Sequence, residues 1–274
     1  MKNILIFISL IIFVFTLLLA QSDIDNWRNE SPDYLRGDPG LTVFNINDFS
    51  YWIGDDNFSG RHPFTGAAGV LYPRFTANVV WQDGIVWGGY VRDAQTPVLR
   101  AGGQHFRIGT VPGRIISPGV PQNPNDPDVR IYRIRRDWQT VPDSILRLDA
   151  AELNDIDPAL VTPAQIAEVR TQYETDWNEW PAGYGAPFYD TNSNGIYEPQ
   201  LGEEPGLQDA DQVIWFVCNH LNSNATQNLY GSPPMGLELQ VTFWGYDAAD
   251  FLGETIFRRY RLINKSGVQI DSMF

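Results

Sequence analysis

Cysteine is almost absent: Cys218 is the single one in 274 residues, so no intrachain disulfide can form even in an oxidising compartment. Stability must come from burial, with metal as the one other source. Cys218 ends the apolar run 213–217 and reads as a small buried hydrophobe, not a nucleophile. Histidine is scarce too, and His62, His105 and His220 lie too far apart to make a paired metal motif, which leaves zinc hydrolysis with little support. Basic residues number 19 against 33 acidic ones, a formal charge of -14. A nucleic-acid partner is excluded on that balance, because a phosphate backbone requires basic neutralisation. The chain has no Gly-x-Ser-x-Gly elbow, no phosphate-binding glycine loop and no repeat of fixed period. A carboxylate pair for glycoside hydrolysis stays open, since only separation in space defines one.

What is present begins with an export signal. Lys2 gives a positive start, residues 4–19 are an almost unbroken apolar run, and Ala20-Gln21-Ser22 supplies a small-residue cleavage site. Residues 1–20 therefore read as a secretory signal peptide. The run approaches the roughly 18 residues of a membrane anchor, but the polar, acidic stretch that follows favours cleavage, so no membrane association is expected afterwards. No cysteine sits at the cleavage site for lipid attachment. Without Lys2 the charge becomes -15, which suits solubility and attracts divalent cations.

Hydrophobic residues make up 43%, with 9 Trp, 12 Tyr and 15 Phe, enough for one sizeable core or two. Short apolar segments separated by many Gly (24) and Pro (19) have the texture of strands joined by turns. The predicted fold is mainly β: antiparallel sandwich-like units, one α-helix, a calcium-type loop and an incomplete last sheet. Residues 77–81 and 85–91 flank Gln82-Asp83-Gly84 as a candidate hairpin. Further strands are expected at 98–99, 105–108, 129–134, 211–217, 237–246 and 255–263. In the last of these both faces mix residue types and the buried side is ambiguous. The helix is predicted over 163–177, with Thr162 as cap and Pro163 at the first position. Residues 117–128 form a loop, and Gly88-Gly89 and Gly102-Gly103 read as bulges or strand ends. The expected division is 21–162 as an N-terminal β-rich region, 163–180 as helix and connector, and 181–274 as loop and truncated sandwich.

One constellation carries metal chemistry. Asp190, Asn192, Asn194 and Glu198 stand at positions one, three, five and nine of a loop, with Gly195 at six and the Ile196 carbonyl at seven. Calcium takes about 6 to 8 hard oxygen ligands, and glycine allows the turn that brings alternate residues inward. Position twelve is Leu201, where a helix-loop-helix site has a bidentate Glu, so the closing carboxylate is sought among Glu203, Glu204, Asp209 and Asp211. The plainer reading is a tight Asx turn that binds nothing. Trp177, Trp180 and Tyr184 are clustered enough to nominate as a glycan-stacking set, against the reading that they are core aromatics.

A resemblance enters with Trp180-Pro181, Gly185-Ala186-Pro187-Phe188, the 190–199 loop, the 210–217 run and Gly236-Leu237-Glu238-Leu239-Gln240-Val241. Together they resemble the amino-terminal region of large surface or secreted proteins of the type nine secretion pathway, which end in a carboxy-terminal sorting domain. The similarity runs from Asn47, Phe49, Tyr51 and Trp52 to the end. Cys218 departs from it, standing where an aromatic is usual, and Ser272-Met273-Phe274 ends inside an apparent strand without a sorting domain. The resemblance implies a fragment of an exported protein that meets the export machinery through a missing domain. The expected function is a non-catalytic structural or adhesive module whose partners are cell-surface glycans or other surface proteins. A carbohydrate-binding module and a polysaccharide hydrolase are the alternatives. An unpaired strand edge at 269–274 is expected to cause association.

Overall fold

In the computed structural model, residues 40–105 and 108–274 are described; the apolar run at 4–19 and the cleavage site lie outside them. Fourteen strands and three α-helices make the described chain mainly β, with every strand pairing antiparallel. The strands are β1 (Leu41–Phe44), β2 (Ser50–Gly54), β3 (Val70–Leu71), β4 (Asn78–Val80), β5 (Val86–Val91), β6 (Val98–Gly103) and β7 (Val111–Pro112). They continue with β8 (Ile115–Ser117), β9 (Val120–Pro121), β10 (Tyr132–Arg135), β11 (Gln212–Asn219), β12 (Leu237–Gly245), β13 (Phe257–Asn264) and β14 (Ile270–Asp271). The helices are α1 (Asp143–Asn154), α2 (Pro163–Asn178) and α3 (Ser223–Tyr230). Only α2 was expected; α1 and α3 are additions to the one-helix reading. No helix of the described residues is long and apolar enough to cross a membrane.

The central sheet runs β10-β11-β12-β13, and β7 takes the remaining length of the β11 edge that β10 leaves. Every residue of β11 is buried. Its alternation explains the unbroken apolar sequence, because both faces are covered. Ile214, Phe216 and Cys218 point into a core shared with Phe44, Tyr51 and Ile53 of the β1-β2-β3-β4 sheet and with Trp87 and Val91 of the β14-β5-β6 sheet. Val213, Trp215 and Val217 point the other way, into a second core closed by Trp180, Ala186 and Ala210. The first core draws on residues from Phe44 to Phe243, so the helical connector at 163–180 lies within one body and not between two. The third cluster packs α1 on α2 through Leu146, Ala150, Ile166, Val169 and Tyr173.

The α2 helix starts as its sequence dictates: the Thr162 side chain accepts from the Gln165 N–H, the Gln165 side chain reaches back to the cap, and Pro163 fills the first position. For β13 the register settles the buried face. Tyr260 and Leu262 pack on the first core, and Arg258 spans from Asp83 to the Tyr51 hydroxyl on that side. Arg259 and Arg261 are exposed on the other.

One expectation is corrected. Asp83-Gly84 is not a hairpin turn: β4 pairs with β3, and β5 pairs with β6 and β14. Gly84 is required by close approach, since a Cβ there would lie 1.9 Å from the Gln104 carbonyl oxygen. The strand expected at 105–108 includes residues 106 and 107, which lie outside the described residues. Along 269–274 the chain is paired on one side, and β14 is an edge strand of the β14-β5-β6 sheet. Ile270 and Asp271 pair with Val91 and Tyr90, and Gly88 and Phe274 exchange N–H to carbonyl bonds of 3.1 Å in both directions.

Candidate metal centre

The segment after α2 is anchored before it reaches the loop. Trp180 is buried, its ring nitrogen donating to the Pro187 carbonyl at 2.7 Å. The loop is then pinched at its base: the Tyr189 N–H donates to the Glu204 carbonyl at 2.8 Å, the Gly206 N–H donates to the Pro187 carbonyl at 2.8 Å, and Phe188 bridges to Pro205. Tyr197 closes the inner side, edge-on to Phe188 at 5.7 Å and donating its hydroxyl to the Trp177 carbonyl at 2.8 Å.

Inside this clamp the alternating side chains turn inward. Asp190 accepts from the Asn194 N–H at 3.0 Å and the Gly195 N–H at 2.8 Å. Asn192 and Asn194 accept from the backbone two residues on, at 3.0 and 2.7 Å. Both asparagine amides then donate to one Glu198 carboxylate oxygen, at 3.0 and 2.7 Å. Asp190, Asn192, Asn194 and Glu198 thus share one hydrogen-bonded cage. The left-handed backbone at Ser193 and at Gly195, φ 59° and 75°, makes the bend. Gly195 meets the steric demand without cost.

The four residues sought as closing ligand, Glu203, Glu204, Asp209 and Asp211, make other contacts in the structure. Glu203 is buried, one oxygen accepting from the Thr191 N–H at 3.1 Å and the other from the Glu198 N–H at 2.8 Å. It organises the loop from behind. Asp209 faces Arg136 at 3.4 Å, with its side chain 74% exposed. Glu204 also faces Arg136, and Asp211 accepts the Asp247 N–H. The Ile196 side chain is exposed, which leaves its carbonyl as the only contribution it has to offer. Among the described residues no three His, Cys, Asp or Glu gather as a metal cage. The side chains brought together here are two carboxylates and two amides, oxygen donors of the hard kind calcium takes.

The nominated aromatic set does not form a platform. Trp180 is in the second core, edge-on to Tyr132 at 6.3 Å. Trp177 is partly buried against the same core and tilted on Trp138 at 6.5 Å. Tyr184 is 37% exposed, and the Arg114 guanidinium lies 3.4 Å from its ring centre. Other chemistry-bearing residues are structural. Cys218 is fully buried, and burial drives its thiol far above the ordinary range. His220 is buried and neutral, pushed down to about 4 by burial, with Nδ1 accepting the Met235 N–H at 3.2 Å. Asn57 of the Asn57-Phe58-Ser59 sequon is completely buried.

Compared with known proteins, the chain matches no family model, no curated protein and no solved structure. Function therefore rests on geometry and sequence.

Proposed function

We infer that this chain is a non-catalytic structural or adhesive module of an exported bacterial surface or secreted protein, stabilised by calcium at the 190–198 loop. The export reading rests on the amino-terminal apolar run and on the resemblance to type nine secretion proteins. The convergence of Asp190, Asn192, Asn194 and Glu198 within a loop clamped at its base carries the calcium reading. A set with only two carboxylates lies at the weak end of calcium sites, with dissociation constants on the order of 0.1–1 mM, as in extracellular modules. That range suits a compartment rich in the ion.

Calcium titration by calorimetry, with thermal melting, tests the reading. Saturation at about 10 mM calcium should raise the melting temperature by roughly 3–10 °C by mass action, chelator should reverse it, and Asp190→Ala should abolish both. No heat of binding together with a melt insensitive to chelator would sink the calcium assignment.

A further inference from the structure

The face of β13 turned away from the first core carries two guanidiniums that the protein leaves unmatched. With 33 acidic residues against 19 basic ones, arginines elsewhere in the chain meet carboxylates: Arg74 meets Glu152, Arg92 meets Asp271, Arg114 meets Asp128 and Arg258 meets Asp83. Arg259 and Arg261 are exposed, and neither has a carboxylate partner among the described residues. Arg261 reaches only the Gln240 side-chain oxygen, at 3.5 Å.

Register fixes what stands beside them. Thr242 of β12 pairs with Arg259 and with Trp215 of β11, and Gln240 pairs with Arg261 and with Val217. Directly paired residues of antiparallel strands share a face, so two rows, each ending in an arginine, run side by side across three strands. Alternate residues of a strand lie about 7 Å apart, close enough for both guanidinium forks to reach one oxyanion. Gly185 closes the β11 side of the rows, packed so tightly that a Cβ there would lie 2.5 Å from Gln240 Oε1. Beyond it a pocket of about 340 Å³ is lined by Gly185, Trp215, Gln240, Thr242, Arg259 and Arg261. That volume lies at the small end of small-molecule sites, roughly 300–1,000 Å³. Glu238, two positions before Gln240 on the same face, is already engaged. One of its oxygens accepts from the Lys265 ammonium at 2.6 Å and the Ile115 N–H at 2.8 Å, and the other accepts from the Gln240 amide at 3.3 Å.

We propose that this pocket binds the carboxylate or sulfate group of an acidic saccharide, held between Arg259 and Arg261. A guanidinium presents parallel N–H donors that match paired oxyanion oxygens, and two such forks side by side answer a ligand whose charge is concentrated in one group. Thr242 and Gln240 place a hydroxyl and an amide beside the forks, where the ring hydroxyls of a sugar would lie. Charge also selects: a chain of formal charge -14 repels acidic ligands generally and admits them where positive charge stands uncompensated. The inference names a ligand for the adhesive reading and rests on that reading, but none of its residues belongs to the 190–198 loop.

The test is calorimetry on the full chain with uronate, sulfated and neutral oligosaccharides, inorganic sulfate and an acidic peptide, repeated on Arg259→Gln and Arg261→Gln, in calcium and in chelator. Acidic saccharides should bind and neutral ones should not. Each substitution should weaken binding about tenfold or more, the worth of one charge-assisted contact, and added salt should weaken it by screening. Both variants should melt within about 2 °C of the parent, because exposed side chains without a paired carboxylate contribute little to stability; lost recognition is thereby separated from lost folding. Acidic-saccharide binding beside a failed calcium titration keeps this pocket and drops the loop assignment, whereas a calcium response with no acidic saccharide bound drops this pocket alone. Inorganic sulfate or the acidic peptide binding as tightly as the saccharides, or affinity unchanged in both variants, overturns the proposal.

Discussion

Arg133 of β10 and Asp149 of α1 form an ion pair at 2.8 Å in which both side chains are almost sealed from water, 6% and 2% exposed. The second Asp149 oxygen accepts the Tyr173 hydroxyl at 2.6 Å, and Asn45 donates to the first. One carboxylate therefore ties the central sheet, the first strand and both long helices together. Removing it leaves a buried guanidinium uncompensated, and Asp149→Ala should cost about 3–5 kcal/mol in urea denaturation at pH 7. Burial works to raise the Asp149 pKa, but the Arg133 charge and the Tyr173 and Asn45 hydrogen bonds outweigh it and hold it below the ordinary value. This contribution is complete above the unfolded carboxylate pKa of about 3.9 and is lost as pH falls through the lower folded value.

Glu203 invites a second experiment. Glu203→Ala deprives the Thr191 and Glu198 N–H groups of their acceptor and should cost about 1–3 kcal/mol, read by denaturant midpoint. Glu203→Gln, which keeps one acceptor, should lose less. Both should weaken the calcium response, because the Glu198 backbone is no longer pinned.

His220 sets a dependence at moderately acid pH. Burial lowers its pKa from 6.5 to about 4, so the unfolded chain takes up a proton first as pH falls. Stability from this group is complete above pH 6.5 and declines toward pH 4, by on the order of 3 kcal/mol in all. His220→Gln should flatten the stability profile across that window; an unchanged slope would remove His220 as its source.

Gly102 is required by packing. A Cβ there would lie 2.4 Å from His220 Cε1 and 2.7 Å from Trp87 Nε1. Gly102→Ala should therefore destabilise the fold by about 1–3 kcal/mol through overpacking, measured by thermal melting. A variant as stable as the parent would show that the two rings can part.

Much of the architecture was readable where local chemistry acts alone. Thr162, Pro163 and Gln165 announce α2 by capping, and the run at 213–217 announces a strand covered on both sides. The buried face of β13 was not readable, because Arg258 lies among the core-facing residues and finds Asp83 and Tyr51 from distant parts of the chain. Asp83-Gly84 misled for a related reason: a turn dipeptide was used for its carboxylate and its lack of a side chain. Asn222 caps α3 and accepts the Ala225 N–H, yet the helix is short and polar, so periodicity carried no signal. The 190–198 turn was legible in its alternation and glycine. The separate duties of Glu203 and Asp209 were not, since sequence proximity cannot tell a carboxylate facing inward from one paired with Arg136.

The pinched base at 187–206 makes the loop above it a small foldon. Its amides can exchange with solvent while the sheet beneath keeps its protection, because opening breaks bonds within the clamp and the Tyr197 bond to Trp177 but none in the sheet. If calcium binds as proposed, hydrogen exchange at Asn194 and Gly195 should slow on adding the ion while the β11 amides stay unchanged.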